Sequence, residues 1–397
     1  MPFSPDNLFQ LAFLVIAIAI GWLLGRRECA KSKAARPQTN ISHEYFTGLE
    51  YLLNEKMDEA IESFIRALEI NSDTVPAHLA LAKLFRRKGD VDRAIQIHQN
   101  LLARPDLTRS DFMRIEMALA RDYYAVGLLD RAENLLQEII KSKASADILA
   151  KAQVLLIKLY EKEGEWEDAL NTADKLPQDK RKQLLIELTH YYCELAENCI
   201  RSKQLKKASE LLKKAEQMGT KNVRVNLLKA KISMHTEQWK SAIRSLKAVA
   251  KQDKLFVSET IPYLKQCYTR LGDLNAYTSY LKSSLTSAPS TTVIVALAEQ
   301  IKEERGAYAA GSFITEELKR RPSVKGFNSL IDLHLEHGSV SAKDSLKVLR
   351  GLTGQLELSK PVYRCNSCGF SGRNLLWQCP SCKSWGTTKP IQGLEGE

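Results

Sequence analysis

Apolar residues are spread along this chain in two different ways. From Leu8 to Leu24 they form an almost unbroken run, "LFQLAFLVIAIAIGWLL", seventeen residues interrupted only by Gln10. At about 1.5 Å per residue, such a run is just long enough to cross a hydrocarbon core. From Ile41 onward the apolar positions recur with the period of an α-helix, and no long alternating stretch asks for a sheet. The expectation is an all-α chain with an N-terminal transmembrane helix in residues 1–25. Between the two patterns, residues 26–40 are polar, basic and proline-containing, which reads as a linker.

The periodic region also repeats. Gly48, Tyr51, Ala60, Phe64 and Ala67 are spaced as in the tetratricopeptide pattern, where small residues let two antiparallel helices approach and larger ones fill the groove between them. A shift of 34 brings Ala82, Phe85, Gly89 and Ala94 into register. Less regular units follow at Ala120, Tyr123, Gly127 and Ala132, at Tyr160, Gly164 and Ala169, at Ala196 and Ala208, at Ala230 and Ala242, and at Tyr268 and Gly272. The gaps between the equivalent alanines run 34, 38, 37, 39 and 34 from Ala60 to Ala242. The phrases "EKMDEAI", "GDVDRAI", "GLLDRAE" and "GEWEDAL" read as the turn inside each helix pair, glycine relieving one helix end and an acid opening the next. Past Gly272 the pattern decays, although "GAYAAGSFITEELKRRP" and "GSVSAKDSLKVL" still read as helix pairs, giving eight to nine units over residues 41–358. Pairs that cannot bury their apolar faces alone stack into a solenoid with a concave surface, suited to segments of other proteins.

Charge narrows the list of partners only a little. The chain carries +11, and Arg201 to Lys254 alone holds fifteen Lys/Arg against four acids, leaving the remainder near neutral. Such a stripe suits solvated helix faces, an acidic protein or a membrane surface. With Trp239 its single aromatic, it lacks the stacking residues that single-stranded nucleic acid requires, so nucleic acid is disfavoured. Arg26, Arg27, Lys31, Lys33 and Arg36 follow the apolar run, and only Asp6 precedes it. By the positive-inside rule the N-terminus faces out and the bulk of the chain lies in the cytoplasm, as a single-pass membrane protein. No phosphate loop, H-E-x-x-H or nucleophile elbow is present, and an enzyme is disfavoured. His334 and His337 in "HLEH" could share a helix face and a metal, but a polar helix end is the plainer reading.

The cysteines fall into two populations. Cys29, Cys193, Cys199 and Cys267 are scattered, as small apolar fillers are in a reducing compartment. Residues 359–397 hold the rest: Cys365-x2-Cys368 and Cys379-x2-Cys382, ten residues apart, are two knuckles that bring four thiolates to one tetrahedral ion. Zinc is favoured, and iron satisfies the same ligands. Gly369 permits the first knuckle's turn, while Lys383 stands at the matching position of the second and should be less relaxed. Tyr363, Phe370, Trp377 and Trp385 are expected to supply a miniature core for this segment.

The anchor ending in "GRR", the array containing "LFRRKGDVDRAIQIHQNLL" and "HYYCELA", and the final "YRCNSCGFSGRNLLWQCPSCKSWGTTKPI" together resemble the lipopolysaccharide assembly protein B family of Gram-negative bacteria, over nearly the whole chain. The resemblance implies a rubredoxin-like zinc ribbon packed against a tetratricopeptide array, with Cys365, Cys368, Cys379 and Cys382 as metal ligands. It further implies a non-catalytic adaptor in the cell inner membrane, facing the cytoplasm, that regulates lipopolysaccharide (lipid A) synthesis. In that role it promotes proteolysis of the UDP-acyl-GlcNAc deacetylase LpxC by the membrane protease FtsH, and is opposed by an inner-membrane antagonist of the LapC/YejM type. A static scaffold for lipopolysaccharide synthesis and transport enzymes is the alternative, followed by a rubredoxin-type electron carrier. The oligomeric state stays open between monomer and homodimer. By position, the ribbon is expected to cap the open C-terminal end of the solenoid.

Overall fold

A computed structural model describes residues 43–70, 74–219, 221–337, 340–394 and 396. The apolar run, the basic linker and Cys29 lie outside the described residues, and among those described no helix is long and apolar enough to cross a membrane. The chain divides into two compact units, Met1–Leu155 and Leu156–Glu397.

In chain order, the helices are α1 (His43–Leu53), α2 (Met57–Ile70), α3 (Val75–Lys88), α4 (Val91–Leu102), α5 (Arg109–Val126), α6 (Leu129–Lys141) and α7 (Ala146–Glu163). There follow α8 (Trp166–Ala173), a short α9 (Gln178–Gln183), α10 (Leu185–Arg201), α11 (Leu205–Gln217), α12 (Val223–His235) and α13 (Trp239–Gln252). A 3-10 turn at Lys254–Phe256 leads into α14 (Val257–Leu271), α15 (Leu274–Ser287), α16 (Thr291–Arg305), α17 (Ala307–Arg320), α18 (Val324–His337) and α19 (Val340–Ser359). The chain is therefore mostly helical, ending in a three-stranded ribbon of β1 (Tyr363–Cys365), β2 (Ser371–Gly372) and β3 (Thr388–Pro390).

The small-residue positions do what their spacing implies. Ala60, Ala94, Ala132, Ala169, Ala208 and Ala242 are all fully buried. In the first pair a Cβ on Gly48 would stand 3.0 Å from the Phe64 ring, so the ring fills space that only glycine leaves free. The first unit gathers Ala60, Phe64, Ala82, Phe85 and Ala94 into one apolar cluster.

Seven turns share one geometry. At Glu55, Gly89, Gly127, Gly164, Lys203, Glu237 and Gly272 the backbone enters the left-handed region. The next N–H, on Lys56, Asp90, Leu128, Glu165, Gln204, Gln238 or Asp273, then returns to the carbonyl five residues back at 2.7–3.1 Å. This is the Schellman closure of a helix end, and glycine is the residue that makes it without steric cost. Glu55, Lys203 and Glu237 adopt it all the same, because the pairing of the flanking helices dictates the turn. Beyond Gly272 the array keeps its period where the sequence pattern fades. Tyr277, fully buried, occupies the place held earlier by alanine, and Gly311 sits five residues after the turn at Gly306, with Leu333 against it.

Candidate metal centre and its seat

The ribbon is a small antiparallel sheet in the order β2-β1-β3, with Cys365 opposite Thr388 and Tyr363 opposite both Gly372 and Pro390. Its two knuckles are built alike. Gly369 N–H donates to the Cys365 carbonyl and Cys365 N–H to that of Phe370, at 2.9 and 2.7 Å. Lys383 N–H donates to Cys379 and Cys379 N–H to Ser384, at 2.9 and 3.0 Å. Gly369 takes φ +79° and Lys383 φ +59°, so the second knuckle imposes on a lysine the conformation that glycine takes freely in the first.

The four sulfurs lie within 4.8 Å of one another. Between knuckles, Cys365 and Cys382 are 3.8 Å apart and Cys368 and Cys379 3.6 Å. Four thiolates bound tetrahedrally at about 2.3 Å from an ion have sulfurs about 3.8 Å apart, far beyond the roughly 2.05 Å of a disulfide. The donor set therefore fits one metal ion. The Thr387 hydroxyl, 3.2 Å from the Cys365 sulfur, holds that thiol below its ordinary range. The Ser384 side chain and N–H bring Cys382 down to about 6, whereas burial pushes Cys379 up to about 11. Among the described residues no other group of three or more His, Cys, Asp or Glu side chains converges in this way. His334 bonds the Leu330 carbonyl of its own helix at 2.8 Å, and His337 sits 3.5 Å from Glu336. Cys193, Cys199 and Cys267 are buried free thiols, and burial pushes Cys193 up to about 12.

The large ribbon side chains point elsewhere than expected. Tyr363, Trp377 and Trp385 serve less as a private core than as a plug into the helices of the second unit. Trp385 stacks on His190 with ring centroids 5.0 Å apart and meets Trp166 and Tyr191 edge-on. Trp377 stacks on Phe256 at 5.7 Å, with the Arg224 guanidinium 5.6 Å from the ring centre. Polar contacts surround these rings: Tyr363 donates to Glu259 at 2.6 Å, Gln378 to Glu161 at 2.7 Å, and Lys389 pairs with Asp253 at 2.7 Å. Gly386 lies so close to His190 that a Cβ would stand 3.2 Å from Nε2. A ribbon of some thirty residues cannot enclose three large rings by itself, so the helices supply the other wall.

The seat thus spans α7, α8, α10, α12, the 3-10 turn and α14, in the body of the array. The last helix, α19, leaves Val348, Leu352 and Leu358 more than 60% exposed, so the ribbon does not close the C-terminal end. Its contacts there are few: Arg373 donates to the Leu358 carbonyl, and Val324 N–H to Leu394 at 3.1 Å. The physical reason is that the seat offers the ribbon's rings aromatic partners, Trp166, His190, Tyr191 and Phe256, to stack against.

Three residues of this seat had no sequence signal as functional positions. His190 is buried; its Nε2 accepts from the Asn222 amide at 3.0 Å, and burial followed by the nearby Arg224 charge lowers its pKa to about 3. Arg224 belongs to the basic stretch but is only 3% exposed, fixed by Glu194 at 2.9 Å and Glu197 at 2.8 Å, which raise its pKa against the cost of burial. It is therefore removed from any solvated stripe. Phe256, in the 3-10 turn, is buried beneath Trp377. The available hint was "HYYCELA", richer in aromatic and histidine side chains than a repeat helix requires. Beside the seat, Trp166, Glu194, Glu197, Arg224, Trp377 and Trp385 help line a cavity of about 520 Å³.

Residues 363–390 match the model of the rubredoxin metal binding domain, and residues 45–74 and 77–111 match tetratricopeptide repeat models. Over 392 residues, the chain is 36% identical to a protein of Escherichia coli (strain K12) named lipopolysaccharide assembly protein B, covering 98% of this chain and 100% of that one. A protein of the same name from Haemophilus influenzae is 33% identical, with 98% and 100% covered.

Proposed function

This chain belongs to the lipopolysaccharide assembly protein B family, and from that premise we propose that it is a non-catalytic adaptor in lipopolysaccharide assembly, held at the inner membrane by its N-terminal apolar run and working in the cytoplasm. In this reading it presents the deacetylase LpxC to the membrane protease FtsH and so limits lipid A synthesis, with an inner-membrane antagonist of the LapC/YejM type restraining it. Kinship along the full length, with repeats and ribbon in the same order, carries the reading. The repeat helices supply surface for a client segment, and the cavity beside Arg224 and Trp377 offers charge of both signs together with aromatic faces, a composition suited to peptide. A shared membrane confines adaptor and protease to two dimensions and raises their effective concentration without new contacts.

Zinc is the ion proposed for Cys365, Cys368, Cys379 and Cys382. With four protein ligands the site is closed, and zinc there supplies a redox-silent cross-link. The chain's own residues then do the structural work: the knuckles fix Trp377 and Trp385, and these rings hold the ribbon on the array. Metal analysis of the purified chain tests this assignment, since a red, reversibly reducible preparation would indicate iron and electron transfer.

The functional test is the half-life of LpxC after protein synthesis is blocked, with and without this protein. A longer half-life on depletion is the expected outcome. An unchanged half-life would reject the adaptor and leave a static scaffold.

A further inference from the structure

The first unit contains a buried charged cluster that neither the repeat packing nor the metal centre requires. Asp122 on α5 is fully buried and accepts from Arg86 of α3 at 2.5 Å. Its other oxygen meets Nδ1 of His98 on α4, which is likewise fully buried. With Nδ1 donating to the carboxylate, the second ring nitrogen is left over, and Nε2 has no hydrogen-bond partner.

His98 lines a cavity of about 310 Å³. Lys83, Arg114, Arg121 and Lys151 stand around it as exposed side chains, and Asp147, the single acid of the lining, is already paired with Lys151 at 2.5 Å. The nearest carboxylate to Arg114 is that of Asp111, at a loose 3.8 Å. The cavity therefore has a buried histidine in its lining and a rim with cationic charge in excess.

We propose that this cavity binds a phosphate group, with His98 at its floor and Lys83, Arg114 and Arg121 at its rim. The rim distinguishes phosphate from carboxylate. A phosphate monoester carries up to two negative charges and three acceptor oxygens on one centre, enough to meet Lys83, Arg114 and Arg121 together, whereas a carboxylate brings one charge and two oxygens. Asp122 holds the His98 ring in place in the lining, and Arg86 offsets the carboxylate charge that would otherwise repel the anion. The inference stands independently of the adaptor reading.

Calorimetric titration of the full chain with inorganic phosphate tests it, using acetate as the competing anion. Saturable phosphate binding is expected, weakened about ten-fold or more by Arg121→Gln, a change at an exposed rim position that should leave thermal unfolding unaltered. Lys83→Gln should weaken it as well. Two arms identify the source of the phosphate. Tighter binding of glucose 1-phosphate than of inorganic phosphate would support a soluble monoester. Weaker apparent phosphate binding in nanodiscs containing phosphatidic acid than in phosphatidylcholine discs would support a lipid headgroup. Absence of saturable binding, equal binding of acetate by the unaltered chain, or unchanged affinity in both rim variants would overturn the proposal.

Discussion

Where repeat helices cross, the residue at the bottom of the contact is alanine, as at Ala132, Ala169 and Ala208; where the ribbon meets the helices it is tryptophan, at Trp377 and Trp385. The alanines and Trp385 are buried and Trp377 half-buried, by opposite means. The helix seams work by subtraction, since a missing side chain lets backbones approach. The ribbon seat works by insertion, with large rings entering a hollow lined by His190, Tyr191 and Phe256. A subtractive seam can be repeated along a chain, because each unit needs only a small residue at the same place. An inserted contact is made once, and the walls of the hollow come from several separate elements, α10 and the 3-10 turn among them.

The metal gives the sharpest way to break this contrast. Chelation, or Cys365→Ser with Cys368→Ser, should unfold the ribbon, because structural zinc sites supply about 10–16 kcal/mol of folding free energy. Protease sensitivity should then appear within 363–390 and extend to the seat helices α8 and α10, while helical circular dichroism largely persists. Equal protection of the ribbon with and without metal would show that the rings alone suffice.

Trp385→Ala should cost about 3–5 kcal/mol, the usual loss for a buried large ring. Denaturant unfolding of the second unit followed by Trp fluorescence would measure it; a change below 1 kcal/mol would mean that the stack on His190 contributes little.

His190 gives the seat a pH dependence that the alanine seams lack. Its folded pKa is lowered, so the folded state binds fewer protons than the unfolded chain. The associated stability is complete above the unfolded value of about 6.5 and declines as pH falls toward about 3. The slope over that window should approach 1 kcal/mol per pH unit, an order-of-magnitude figure from the linkage relation. His190→Gln should flatten it, read as the difference in urea midpoint between pH 7 and pH 5; parallel profiles for the two proteins would refute the assignment.

Ala208→Leu tests the subtractive seam directly. Extra methyl groups between α10 and α11 should cost about 1–3 kcal/mol by overpacking, measured by thermal unfolding, and a neutral result would show that the seam has slack. The smallest effect belongs to the second knuckle. Lys383→Gly relieves a left-handed lysine and should stabilise the metal-loaded ribbon by about 1 kcal/mol at most, detectable as slower metal release to a chelator.

The sequence by itself determined the features that depend on local spacing. Helical period, a small residue every 34 to 39 positions and two C-x2-C pairs ten residues apart were legible because each rule acts within one helix pair or one knuckle. The tertiary structure decided the remainder. His190, Arg224 and Phe256 become a seat only when α10, α12 and the 3-10 turn are brought together against a ribbon more than a hundred residues downstream, and no local period records such a meeting. The same holds for Arg86, His98 and Asp122, whose separate positions look like ordinary surface charges until three helices bring them together and bury His98 and Asp122. Glu55, Lys203 and Glu237 show the converse: their own preferences argue against the turn they make, and the pairing of the flanking helices overrides a cost of about 1 kcal/mol at each.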